Sequence, residues 1–285
     1  MIFFIIPLVW GLGFTLTHNA VQSIHPGIFA FLRQLIAFLV LLPFCHSLFR
    51  QINFTVLKWS FLFALWGTIS ILCQSFALTT LNSAQTAFYV TLNIIFVPIF
   101  SYVLRVGKVS FVDLGAVTLG VISIVVSLGV SFDNFGIGDI FGLCAAVSIA
   151  LNIVTAQIML TKCNIDRRLL ALVSIGFGVI MLSYFPIHYS ASISITSDII
   201  LAVLFQGAIS TALASYLQLK YQRRIGATKA ALILNLDLVF ASLFGTLNGE
   251  ILNINQIIAC IIAFTATIFN DIVLKIKKIT DTDHN

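Results

Sequence analysis

Charge is scarce in this chain: Asp, Glu, Lys and Arg make up 9% of its 285 residues, against 60% hydrophobic types and a mean hydropathy of +1.09. So little charge excludes a water-soluble globule, in which about a quarter of residues are charged, and leaves a polytopic membrane protein. The net charge of +5 is no nucleic-acid footprint, because the basic residues are scattered through short loops rather than gathered on one face. Cysteine is sparse too. Cys45, Cys73, Cys144, Cys163 and Cys260 match no zinc spacing and require no disulfide, so they read as small packing residues. There is no His-Glu-x-x-His pair for a metalloprotease, no charged ring for an ion channel and no soluble output domain for a sensor. Neither a metal nor a cofactor is expected. The first apolar run lacks a basic flank and a small-x-small cleavage site, so it reads as a membrane helix rather than a signal peptide.

What the chain has is apolar length. Ten segments, at roughly 2–22, 27–46, 58–80, 84–104, 110–129, 139–160, 169–189, 198–219, 227–247 and 253–274, are each long enough to cross a hydrocarbon core. With a cytoplasmic N-terminus, the inside segments hold Arg50, Lys58, Arg105, Lys108, Lys162, Arg167, Arg168, Lys220, Arg223, Arg224, Lys229, Lys275, Lys277 and Lys278, all of the 15 basic residues except Arg33. The outside loops hold no Lys or Arg and carry Asp133, Asp139, Asp198 and Glu250. This follows the positive-inside rule and places both termini in the cytoplasm. The tail at 276–285 is short, polar and cytoplasmic.

A faint repeat runs through the segments. Gly67 and the apolar run after it parallel Gly207, about 140 residues on, and Ala84-Gln85-Thr86-Ala87 before the fourth helix parallels Ala227-Thr228-Lys229-Ala230 before the ninth. Two five-helix units follow, 1–129 and 138–275. An odd helix count inserts the second upside down relative to the first. The expected fold is therefore an all-α polytopic membrane protein with ten transmembrane helices as two inverted five-helix repeats, an architecture of secondary transporters.

Polar residues within the apolar runs mark a path. Asp237 lies eleven residues past Gly226, about 17 Å into the bilayer, where a carboxylate costs about 2.5–3.5 kcal/mol and should face protein or water. Asn235 stands two residues before it. Trp10, Phe14 and His18 share one side of the first helix; Ser70 and Gln74 lie in the third; Gln85, Tyr89 and Asn93 recur at four-residue steps in the fourth. Ser148, Asn152 and Thr155 form a stripe in the sixth, and Thr211, Ser215, Gln218 and Gln222 another in the eighth. The substrate-pathway candidates are Trp10, His18, Gln74, Tyr89, Asn93, Asn152, Gln218, Asn235 and Asp237. Each amide or hydroxyl also serves as interhelical glue, at about 0.6 kcal/mol. Arg33, about 10 Å inside the second helix, is read as a structural ion or a contact for an anionic group.

The ordered motifs resemble the drug/metabolite transporter superfamily, and within it the EamA-type permeases, over nearly the whole chain. Leu8-Val9-Trp10-Gly11-Leu12-Gly13-Phe14-Thr15 is similar to the family's Trp-Gly opening, Ala30-Phe31-Leu32-Arg33 to its second-helix arginine motif, and Phe96-Val97-Pro98-Ile99-Phe100 to its proline-bearing fourth helix. Ala230-Ala231-Leu232 through Asp237, Val239-Phe240-Ala241 and Gly249-Glu250 resembles its Glu-Pro to Gly-Glu signature. Asp237-Leu238 keeps the acid but lacks the kinking proline, Gly107-Lys108 stands where the first repeat has Gly-Glu, Ile149 replaces a common tryptophan and His18 a common lysine. The resemblance implies a carrier of the bacterial inner membrane, with a cavity formed mainly by the first, third, fourth, sixth, eighth and ninth helices and the fifth and tenth outlying.

The expected function is secondary transport of an amino acid or similar small metabolite or drug by alternating access, with proton coupling at Asp237 and His18 left open. Uptake of a nucleoside-type metabolite such as S-adenosylmethionine is the alternative. Expected partners are a small-molecule substrate and the lipid bilayer, with a homodimer left open and no nucleic acid. Gly136-Ile137-Gly138-Asp139 matches the pattern of intramembrane aspartyl proteases, but Asp139 lies at a helix start and no Tyr-Asp partner motif accompanies it.

Overall fold

In the computed structural model, residues 2–106, 111–128, 135–189 and 196–251 are described, with isolated helical positions between 254 and 265. All regular structure among them is helical. Among the described residues, eight helices are long and apolar enough to span a membrane: α1 (Ile2–Val21), α2 (Pro26–Phe44), α3 (Phe54–Ala77), α4 (Ser83–Val103), α6 (Ile137–Lys162), α7 (Arg167–His188), α8 (Ser197–Ile225) and α9 (Ala227–Leu247). The fifth expected segment forms helix α5 (Phe111–Leu128). The tenth, at 253–274, lies largely outside the described residues, as do the tail 276–285, Gly107, Lys108 and Cys260.

Short polar residues start several of these helices, because the first turn leaves backbone N–H groups without intrahelical acceptors. Asn53 Oδ1 accepts from Val56 N at 3.0 Å to open α3, and Asn82 with Gln85 forms a capping box on α4. Asp166 accepts from Arg168 N at 2.8 Å to open α7 and pairs with the Arg168 guanidinium at 2.7 Å, which holds its carboxyl below the ordinary carboxylate range. Gly226 joins α8 to α9 through a φ of 87°, a left-handed geometry that favours glycine.

Connections between spans define two faces. On the basic face, the α6–α7 turn meets the start of α3: Asp166 N donates to Gln51 Oε1 at 3.4 Å. On the opposite face, Asn19 at the end of α1 exchanges amide bonds of 3.2 and 3.1 Å with Asn248 after α9. Glu250 reaches the start of α4, accepting from Ser83 N at 3.1 Å, from Ser83 Oγ, and from Ala84 N at 3.5 Å. The Gly-Glu pair is legible here: Gly249, at φ 92°, turns the chain so that the carboxylate of Glu250 caps the positive end of a helix from the other half of the chain.

Burial inverts the pattern of a soluble protein. Leu39, Tyr102, Ile180, Leu201 and Leu247 are exposed on the outside of the bundle, where lipid tails would meet them, while Asn93, Gln206, Gln222, Asn235 and Asp237 are buried within it. Glycine allows the closest helix approaches. A Cβ on Gly11 of α1 would overlap the Phe240 side chain and come within 2.8 Å of Ala241 N in α9.

Candidate functional site

A cavity of about 100 Å³ lies in the middle of the bundle. Trp10 of α1, Arg33 of α2, Gln74 of α3, Asn152 of α6, Gln218 of α8 and Asp237 of α9 all line it. Toward the basic face, its register gives way to an apolar cluster containing Ile6, Ala150, Ile153, Leu217 and Leu234. Toward the opposite face it extends to Leu78, whose carbonyl accepts from Gln22 Nε2 at 3.2 Å and lies 3.0 Å from His18 Nδ1.

Most lining groups are held by identifiable bonds. Trp10 Nε1 donates to the Ser210 carbonyl at 2.9 Å. Gln74 Nε2 donates to Ser70 Oγ at 2.8 Å, and Asn152 Nδ2 to the Phe63 carbonyl at 2.8 Å. Gln218 Nε2 donates to Gln222 Oε1 at 3.0 Å, and Gln222 Nε2 to the Ile153 carbonyl at 2.6 Å. Arg33 Nε donates to Thr211 Oγ1 at 2.9 Å. Asp237 is buried, and its Oδ1 has no hydrogen-bond partner among the described residues.

The remaining four pathway candidates sit elsewhere. His18 is turned onto the end of α3, because the lining stripe of α1 runs through Trp10, Gly13, Phe14 and Thr17 and leaves the next position off the cavity. Tyr89 packs against α6, where Gly142 makes room for its ring; a Cβ there would be 2.7 Å from Tyr89 Cγ. Gln85, on the same stripe, accepts from Asn82 N at 3.2 Å in the capping box. Asn93 and Asn235 meet each other: Asn93 Nδ2 donates to Asn235 Oδ1 at 2.7 Å, and Asn235 Nδ2 to the Thr91 carbonyl at 3.1 Å.

That contact ties two helix breaks together. α4 breaks at Leu92, between Ser83–Thr91 and Asn93–Val103, and α9 breaks at Asn235 and Leu236, between Ala227–Leu234 and Asp237–Leu247. Both breaks tighten to i→i+3 bonds, Ile95 N to Leu92 O at 3.0 Å and Leu238 N to Asn235 O at 3.3 Å. The break in α9 needs no proline. Asp237 begins the second half of α9, where free N–H groups favour an acid.

Several lining residues were invisible to stripe counting. Gln34 and Ser174 bring α2 and α7 to the cavity, whereas α4 contributes only Val90 and the described residues of α5 contribute none. Gln206 lines it from a nine-residue π-helical stretch of α8, Phe205–Leu213, and donates to the Gly13 carbonyl at 2.6 Å. A π stretch departs from the 3.6-residue period, so the stripe through Thr211, Ser215 and Gln218, counted backwards, does not reach Gln206. Gln34 did carry a signal, a second polar group beside Arg33. On the protease-like motif, Asp139 Oδ2 accepts from Gly136 N at 2.6 Å and caps α6, away from the cavity that Asp237 lines.

The apolar spans make this a multi-pass membrane protein, and the family that its sequence matches makes it a transporter rather than an enzyme. The chain belongs to the EamA-like transporter family, which matches residues 1–129 and again residues 136–270. It is 27% identical over 241 residues to a protein of Archaeoglobus fulgidus described as an uncharacterized transporter, covering 84% of this chain and 74% of that one. A solved crystal structure superposes with a TM-score of 0.72 at 16% identity, covering 95% of this chain and 96% of the other, a likeness of fold alone.

Proposed function

We propose that the protein is a secondary carrier that moves an amino acid or similarly small metabolite by alternating access. The carrying observation is one cavity, midway through the bundle, lined from α1, α2 and α3 on one side of the sequence and from α6, α7, α8 and α9 on the other. Two inverted five-helix units, 1–129 and 138–275, would rock about that site. The paired breaks of α4 and α9, and the match of one family to two successive stretches, support this arrangement. In this reading ten helices span the bacterial inner membrane with both ends cytoplasmic, supported by basic residues on one face. A volume of about 100 Å³ favours a small solute over a nucleoside-type metabolite, since drug-sized sites run to about 300 Å³ or more.

Asp237 is the group assigned to proton coupling, with Arg33 the other charged side chain on the cavity wall. The test is counterflow in proteoliposomes holding the purified protein, loaded with a panel of amino acids, nucleosides and cationic dyes. Saturable exchange of at least one small solute is expected, and Asp237→Asn should flatten its pH dependence. Unchanged pH dependence with full activity removes Asp237 from the coupling step, and no exchange of any solute contradicts the carrier.

A further inference from the structure

An acidic and a basic side chain line the cavity without meeting. Arg33 is 8% exposed, and among the described residues no acid comes within 4 Å of its guanidinium. Its one hydrogen bond is from Nε to Thr211, leaving the Nη1 and Nη2 fork without a partner among those residues. Asp237 is 3% exposed, with Oδ1 unpartnered. Desolvating a lone charge is costly, so an acid and a base on one cavity wall with no protein ion partner are both open to pairing with a bound molecule.

Helix register fixes their relation. Gly11 of α1 packs on Phe240 and Ala241 of α9, its neighbour Trp10 bonds to Ser210 of α8, and Arg33 bonds to the next residue, Thr211. Arg33 is thus level with Trp10, and Asp237, three residues before Phe240, lies about one turn away along the bundle, roughly 5 Å. On the same cavity wall, Gln34 Oε1 and Gln206 Oε1 are buried acceptors without a partner, and the Thr68 hydroxyl, which can donate or accept, is also unpartnered among the described residues. An ammonium group offers three donors and no acceptor, and a carboxylate matches a guanidinium fork. The apolar part of the wall includes Phe14, Phe63, Ile71 and Ile175.

We propose that the cavity is a dipolar clamp that recognises a zwitterionic α-amino acid by its backbone charges. Arg33 takes the carboxylate, Asp237 takes the ammonium, and the apolar wall takes a small aliphatic side chain. The proposal rests on the carrier reading and makes it specific: single-charged analogues of a substrate bind more weakly than the substrate itself.

The test uses the unaltered protein, so it does not depend on any variant folding. Each of the twenty proteinogenic L-amino acids is measured for binding by thermal shift and for counterflow. Every binder is then compared with its methyl ester, which keeps only the cation, and its N-acetyl derivative, which keeps only the anion. At least one small aliphatic amino acid is expected to bind and exchange, and each analogue to bind about tenfold more weakly or worse. In Arg33→Gln the ester should regain parity with the amino acid, and in Asp237→Asn the N-acetyl form should. Equal binding of ester and amino acid by the unaltered protein overturns the clamp, as does the absence of any amino-acid binder. If other solutes still exchange in either case, the clamp fails and the carrier stands; if nothing exchanges, both fail.

Discussion

His25, in the turn between α1 and α2, shows how one side chain can carry two duties. Its Nδ1 accepts from Gly27 N at 3.2 Å and caps α2, and its ring stacks on Tyr189 at 4.4 Å between centroids. Burial lowers its pKa from the ordinary 6.5, so the unfolded chain takes up the proton first on acidification. The stability contributed by the cap is therefore full above about pH 6.5 and is lost as pH falls below that value. A protonated Nδ1 cannot accept, and it sets a positive charge at a helix N-terminus. His25→Asn should keep the cap and flatten the pH dependence of Tm between about pH 7 and 5, while His25→Ala should lower stability by about 1 kcal/mol at pH 8. Thermal unfolding in detergent across that range checks both.

At this scale the sequence was legible where chemistry overrode geometry. Asp237 and Arg33 stand out because charge inside an apolar run is costly, and both line the cavity. His18, Tyr89, Asn93 and Asn235 do not, because a polar residue in a span signals only that it needs a partner. For His18 that partner is the Leu78 carbonyl, and for the two asparagines it is each other. Which partner a side chain finds depends on helix rotation, and rotation is set by contacts far away in the chain.

Among the elements, α1 and α9 approach closely at Gly11. Gly11→Ala would drive a methyl group into Phe240 and the Ala241 backbone, so a loss of about 1–3 kcal/mol is expected, read as a fall in Tm. This gives the Trp-Gly opening a physical reason: glycine lets α9 in while the adjacent indole anchors α8 through Ser210. The α4–α9 crossing calls for a double-mutant cycle. Asn93→Ala and Asn235→Ala should each destabilise, with a coupling of about 0.6–1.7 kcal/mol; strict additivity would mean that the Asn93–Asn235 contact does not hold the breaks together. Eight of the ten expected spans were readable from apolar run length among the described residues. The α9 break was not, since its expected cause, a proline after the acid, is absent and an Asn side chain on the Thr91 carbonyl stands in its place.

Over the whole molecule, faces and cavity make one arrangement. The Glu250 cap on α4 and the Asn19–Asn248 pair tie the ends of α1, α4 and α9 on one face, while the apolar cluster around Ile6, Ile153 and Leu217 lies toward the other. A carrier must release each closure in turn. Ser215, on the cavity wall, reports on this directly. In a cysteine-free protein carrying Ser215→Cys, a membrane-impermeant maleimide should label the site both from right-side-out and from inside-out vesicles, with no ion conductance through the membrane. Labelling from one side only, however long the exposure, would contradict alternating access about this cavity.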